Sequence, residues 1–177
     1  MALEQGEIGF YSYPTRGILP LDERFTVRRS LRQIVKRKDY EVTYDRAPYE
    51  VLVACSRYGV LPSHELWLSD ELIGHYMALF ETGDVHTVEV WRESKLIGGL
   101  YGVTFGGAFC GESMFSRAPY GSQIALVHLV EHLRLRGFTL LDAQMASDHL
   151  KQFGLYECSQ AEYLEAFHKA AVLPVSF

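Results

Sequence analysis

Apolar and polar positions along this chain follow two rhythms, and the places where one gives way to the other mark out its elements. From Val85 onward three runs have a period near two: VHTVEVWR, KLIGGLYGVTF and AFCGESMFS. They are rich in β-branched and aromatic residues. Glu93–Ser94 and Gly106–Gly107 separate them, breaks that suit hairpin turns. A helical rhythm then runs from Ser122 to Arg136, with Ile124, Leu126, Val127, Leu129, Val130 and Leu133 apolar and Gly137 as the stop. FTLLDAQ reads as a buried strand with a polar end. Ser147–Phe153 reads as a short helix closed by Gly154, Leu155–Cys158 as a strand and Gln160–Ala171 as a last helix.

The same reading extends upstream. IGFYSY, residues 8–13, is an aromatic strand or arm. FTVRRSLRQIVKRK places Val27, Leu31, Ile34 and Val35 on one helical face. Tyr40–Tyr44 alternates as a strand. Asp45 is a candidate cap for a helix running to about Arg57, with Pro48 in its first turn. Ser69 caps DELIGHYMALFETG, whose acids fall where the helix dipole favours them, and Gly83 ends it.

The order β-β-β-α-β-α-β-α after residue 84 is not the regular alternation of a doubly wound sheet. It predicts an α+β protein with the acetyltransferase-like (GNAT) fold, a mixed central sheet with helices on both faces. A chain of 177 residues suits one domain. We expect a short N-terminal arm at residues 1–24 and the GNAT-like domain at residues 25–177.

Charge and composition narrow the function. The net charge of −5 argues against a dedicated nucleic-acid protein, yet Arg28, Arg29, Arg32, Lys36, Arg37 and Lys38 crowd one stretch. That stretch is either a solvated amphipathic face or a phosphate-contacting helix. No apolar run reaches the length of a membrane span, and the start lacks a signal-peptide pattern. The three cysteines, Cys55, Cys110 and Cys158, show no metal-ligand or framework spacing and fit small buried hydrophobes in a reducing cytoplasm.

Candidate chemistry gathers between Gly98 and His149. Glu112 sits among Phe109, Cys110, Met114 and Phe115, where a carboxylate needs a partner. Asp142 and Gln144 end the FTLLDAQ strand at i, i+2 spacing, on one face and at the edge of a crevice, with His149 nearby. A structural network is the alternative, with Asp142 capping the following turn and Glu112 paired with an arginine. No nucleophile elbow, metal-ligand cluster or P-loop is present. The loop where GNAT enzymes cradle the pyrophosphate of acetyl-CoA reads SRAPYGS and lacks the glycine pair.

GGLYGV, GESMFSRAPYGSQIALVHLVEHL and LLDAQMASDHLKQFG closely resemble the signature of bacterial leucyl/phenylalanyl-tRNA protein transferases. WLSDELIGHYMALFETGDVHTVEVW and the basic FTVRRSLRQ extend the likeness, from about Arg16 to about Tyr163. The resemblance implies an aminoacyltransferase that moves leucine or phenylalanine from aminoacyl-tRNA to the N-terminal amine of a protein. The acceptor usually begins with arginine or lysine, and the addition marks it for the degradation machinery. The donor ester is already activated, so this aminolysis calls for no cofactor and no metal.

The resemblance also implies roles. Asp142 and Gln144 match the catalytic pair, the Gln144 carbonyl accepting a hydrogen bond from the attacking amine while Asp142 orients or relays. Glu112 matches a substrate-binding acid. Met114, Leu126 and Leu141 match the apolar pocket for the donor side chain, and Leu100, Leu129 and Leu133 occupy related positions with altered residue types. Trp67 matches a tryptophan that lies against the terminal adenosine or its aminoacyl group. Arg28, Arg29, Arg32, Lys36 and Arg37 form the tRNA-binding set. The chain departs from the family in three places. The RGIFPWF-type motif of a longer N-terminal domain is absent, Ser122–Gln123 replaces Ser-Lys, and CSQAEY replaces an arginine-rich string. An acyl-CoA N-acyltransferase of the same fold and a non-catalytic tRNA- or degron-binding module are the alternatives.

Overall fold

The computed structural model describes residues 13–56 and 68–177. The three alternating runs form β3 (Val85–Arg92), β4 (Lys95–Phe105) and β5 (Ala108–Ser116), an antiparallel meander. Glu93 and Ser94 both take left-handed backbone, with φ 50° and 61°, the turn whose twist matches its flanking strands. β2 (Glu41–Tyr44) joins the free edge of β3. On the other side, β6 (Leu140–Asp142) runs parallel to β5, paired only through Ala108 with Leu140, Phe109 with Leu141 and Cys110 with Asp142. β1 (Thr15–Leu19) lies antiparallel to β6, and β7 (Tyr156–Ser159) antiparallel to β1. The described residues thus make a seven-stranded mixed sheet in the order β2-β3-β4-β5-β6-β1-β7. This is the expected acetyltransferase-like architecture.

One boundary differs. Residues 15–19 belong to the sheet interior, so an arm ending at residue 24 would cut through it. Ile18 and Leu19 are 4% and 2% exposed, but only three residues of GIL precede Pro20, too short a run to show its rhythm. Residues 8–12 of the aromatic run lie outside the described residues.

Helices cover both faces. α4 (Gly121–Arg136) and α1 (Arg29–Arg37) share a core with Val88, Val90 and Leu100. α2 (Pro48–Ser56) and α3 (Asp70–Thr82) pack on the opposite face against Val85, Tyr101 and Phe115. Leu100 and Tyr101 are neighbours in β4 and face opposite layers, as strand geometry requires. α4 has no side-chain cap at Tyr120. Burial anchors it instead: Ile124, Leu126, Leu129 and Leu133 are at most 2% exposed, and each is worth about 1.5–3 kcal/mol. Its first turn touches β4, because a Cβ on Gly98 would lie 2.4 Å from the Gly121 carbonyl carbon.

Ser69 and Gly83 cap α3 as expected, Ser69 accepting from Leu72 N. Asp45 does not cap α2. Its backbone is left-handed (φ 56°), which turns the carboxylate back onto His86 and Thr87 N, both at 2.7 Å. The fully buried Glu89 takes the Ala47 amide instead, together with the hydroxyls of Thr43 and Thr87. α5 (Asp148–Lys151) starts at Ser147, and α6 (Gln160–Ala171) starts with a Ser159–Glu162 capping box. No helix among the described residues is long and apolar enough to cross a membrane.

Candidate active site

β5 and β6 part after the Cys110–Asp142 pair. β5 continues to Ser116, while the chain beyond Asp142 turns away. A cavity of about 300 Å³ opens in the splay, at the small end of ligand sites. Leu100, Met114, Leu126, Leu129 and Leu141 supply its apolar wall, and Glu112 and Asp142 its polar side. His149, Ser147 and Leu150 close the rim. Seven of the residues expected to be catalytic or substrate-binding therefore meet in one place, while Gln144 follows the lining residue Ala143. Leu133 does not join them. One turn beyond Leu129, it is fully buried in the core behind the cavity. Trp67 lies outside the described residues.

Asp142 and Gln144 are held together by a different geometry from the one their spacing predicts. β6 stops at Asp142, and Gln144 has left-handed backbone (φ 63°), so the two do not share a strand face. The Asp142 carboxylate reaches forward instead and accepts the Gln144 amide at 2.7 Å. The Gln144 carbonyl accepts Gly17 N at 2.9 Å, and its side-chain Nε2 donates to Gly111 O at 3.1 Å. A carbonyl oxygen facing Gly111 O would repel it, so the amide orientation is fixed. Among the described residues nothing donates to Gln144 Oε1. A side chain is thus pinned at every polar point but one, and the free point is a hydrogen-bond acceptor.

Asp142 is fully buried. Arg16 grips it with Nε at 3.2 Å from both oxygens and Nη2 at 2.7 Å from Oδ2, and the Tyr163 hydroxyl donates to Oδ2 at 2.9 Å. The structural alternative in the sequence paired an arginine with Glu112; the structure pairs it with Asp142. No local signal in the sequence links Arg16 or Tyr163 to Asp142. Only the pairing of β1 with β6, which sets Ile18 opposite Asp142, brings Arg16 within reach.

Glu112 owes its position to a β-bulge. Tyr101 pairs with Ser113 and Gly102 with Gly111, which leaves Glu112 as the extra residue on β5. The bulge turns its carboxylate toward α3, where Tyr76 donates to Oε2 at 3.2 Å. Burial raises its pKa; hydrogen bonding from Tyr76 and Gln144 opposes the rise, and the charge of Asp142 adds to it. Tyr101, also on the cavity wall, was missed as well. It is fully buried, and its hydroxyl has no partner among the described residues.

Arg28, Arg29, Arg32, Lys36 and Arg37 are all exposed, and none pairs with a carboxylate among the described residues. Arg28 is the N-cap of α1 and the other four lie within the helix, whose buried Leu31 belongs to the same core as Leu100 and Leu126. At the start of α4 the amides are already in use. Ser122 N donates to Ser116 Oγ at 2.8 Å and Gly121 N to Ala118 O at 3.1 Å. Arg117 N and Ala118 N share Ile97 O at 2.8 and 3.1 Å. A pyrophosphate would have to displace these bonds, which weighs against the acyl-CoA alternative.

The sequence and the fold both have counterparts among known proteins. Residues 18–168 match the family described as leucyl/phenylalanyl-tRNA protein transferase. A protein of that name from Herpetosiphon aurantiacus is 44% identical over 174 residues, covering 98% of this chain and 88% of the relative. Another from Paramagnetospirillum magneticum is 47% identical over 148 residues, covering 84% of this chain and 70% of the relative. A conserved protein of unknown function from Bacteroides thetaiotaomicron superposes with a TM-score of 0.51 at 13% identity, covering 78% of this chain and 53% of that one. That last likeness concerns the fold alone.

Proposed function

Because the chain belongs to the leucyl/phenylalanyl-tRNA protein transferase family, we propose that its cavity holds the aminoacyl end of a charged tRNA while Gln144 receives the attacking amine. The observation that carries this reading is Gln144 Oε1, an acceptor to which no described residue donates, on a rigidly held side chain next to an apolar cavity.

The donor's leucine or phenylalanine side chain lies against Leu100, Met114, Leu126, Leu129 and Leu141. A neutral amine approaches the ester carbonyl with one N–H directed at Gln144 Oε1. The new C–N bond forms as the bond to the ribose oxygen breaks, and the amine's proton ends on that oxygen. An amide oxygen cannot hold a full proton near neutrality, so Gln144 contributes orientation and stabilises developing positive charge on nitrogen. Most of the acceleration then comes from placing two reactants in one crevice. Glu112 sits on the polar wall, where its carboxylate can receive a substrate ammonium or a basic side chain.

The exposed cations of α1 are the counterpart for tRNA phosphates. The acceptor is a protein whose N-terminal residue is arginine or lysine, transfer marks it for degradation, and the reaction takes place in the cytoplasm. The test is transfer of labelled leucine from charged tRNA to an arginine-initiated peptide by wild type and Gln144→Ala. The reading predicts product with wild type and a loss of about 10²-fold or more in kcat for the variant. Equal rates would remove Gln144 from the mechanism.

A further inference from the structure

We propose that Arg16 and Tyr163 are positioning residues for aminoacyl transfer, acting on Gln144 through Asp142. The inference rests on the assignment of Gln144 as the group that meets the attacking amine. Four donors meet the two Asp142 oxygens: Arg16 Nε, shared between both, Arg16 Nη2, the Tyr163 hydroxyl and the Gln144 backbone amide. No lone pair is left to take a proton from substrate. Its work is mechanical, holding the Gln144 amide and with it a left-handed backbone that a non-glycine residue adopts only under constraint.

The constraint comes from far along the chain. Arg16 stands on β1 and Tyr163 on α6, and the guanidinium sits 5.0 Å over the tyrosine ring. Each partner fixes the other while both fix the carboxylate. The planar fork of Arg16 sets the plane of Asp142, and the Tyr163 hydroxyl takes the direction that remains on Oδ2. Without either, the buried carboxylate can rotate. The 2.7 Å bond to Gln144 N then lengthens, and Oε1 moves off the line of the attacking amine. Such a displacement lowers turnover more than binding, because donor side chain and tRNA are held elsewhere.

The experiment uses full-length protein carrying Tyr163→Phe or Arg16→Lys, each made in the wild-type and Gln144→Ala backgrounds. Tyr163→Phe removes one hydroxyl from a partly buried ring and keeps the fold if Arg16→Lys does not. Expected results are a kcat about 10- to 100-fold lower with KM for charged tRNA within about twofold, and no further loss in the Gln144→Ala background. Hydrogen exchange at the Gln144 amide should accelerate at least about tenfold in both single variants. Unchanged kcat, a change confined to KM, or losses that multiply with Gln144→Ala would overturn the proposal. The exchange measurement separates it from the reaction itself. If wild type transfers nothing, the assigned activity fails, while protection of the Gln144 amide still decides whether Arg16 and Tyr163 hold that residue.

Discussion

Glu112→Gln should weaken the enzyme and strengthen the fold, and the two effects have one origin. The substitution keeps the side chain's shape and an oxygen for the Tyr76 hydroxyl, and removes the charge. In the folded protein, burial holds the Glu112 pKa above its ordinary 4.5. Below pH 4.5 the carboxyl is neutral in folded and unfolded chains alike, and it contributes no pH dependence. As pH rises from there through the higher folded pKa, the unfolded chain gives up its proton first, and wild type loses stability. Above the folded pKa the loss is complete and constant. Each tenfold difference in proton affinity is worth about 1.4 kcal/mol. The glutamine variant escapes this loss, so its advantage in urea unfolding should open as pH rises above 4.5 and level off once the folded carboxyl has ionised. Activity moves the other way. A charge-assisted hydrogen bond to a substrate ammonium is worth about 1.5–3 kcal/mol, which corresponds to roughly a 10- to 150-fold loss in kcat/KM. In wild type the acid limb of the pH–rate profile should lie above the usual carboxylate range, and it should vanish in the variant. A stability difference that stays flat across pH, or an unchanged kcat/KM, would refute the role given to this carboxylate.

Three further variants probe the site and the basic surface. Leu129→Phe adds bulk to a cavity of about 300 Å³, so transfer of phenylalanine should fall at least about tenfold relative to leucine when the two charged tRNAs compete. Gly17→Ala would put a Cβ 3.0 Å from the Met145 carbonyl carbon and 3.1 Å from Ala146 N, backbone that follows Gln144 directly. It should cost about 1–3 kcal/mol in denaturant unfolding and lower kcat without raising KM for tRNA. Replacing Arg28, Arg32 and Lys36 together by Ala should flatten the slope of log affinity for charged tRNA against log salt by about 2 to 3. An unchanged slope in filter binding would return α1 to a plain solvated surface.

The sequence made the fold legible where periodicity is local. β3, β4 and β5 show their alternation, α3 its Ser69 and Gly83 caps, and α4 its apolar stripe, because each signal lies within one element. β1 was hidden, since five residues ending at Pro20 are too few to show a rhythm and its partners lie more than a hundred residues away. The apolar wall of the cavity was recognisable from family likeness, and five of its six expected members line it. Leu133 shows the limit. A residue on the right helix face, one turn too far along, belongs to the core. Asp142 and Gln144 do come together, but not as their spacing suggests: a shared strand face was expected, whereas the chain leaves the strand and a left-handed turn holds the pair. The Glu112 bulge could not be read, because registry depends on the partner strand. Arg16 and Tyr163 could not be read either, as their link to Asp142 exists only once β1, β6 and α6 are side by side.

The most direct test of the account offers the purified protein one arginine-initiated peptide with three donors: leucyl-tRNA, phenylalanyl-tRNA and acetyl-CoA. Product mass identifies the group transferred. The account predicts a peptide heavier by one leucine or one phenylalanine, formed only with charged tRNA and lost in Gln144→Ala. A peptide carrying an acetyl group, or no product although charged tRNA binds, would contradict it.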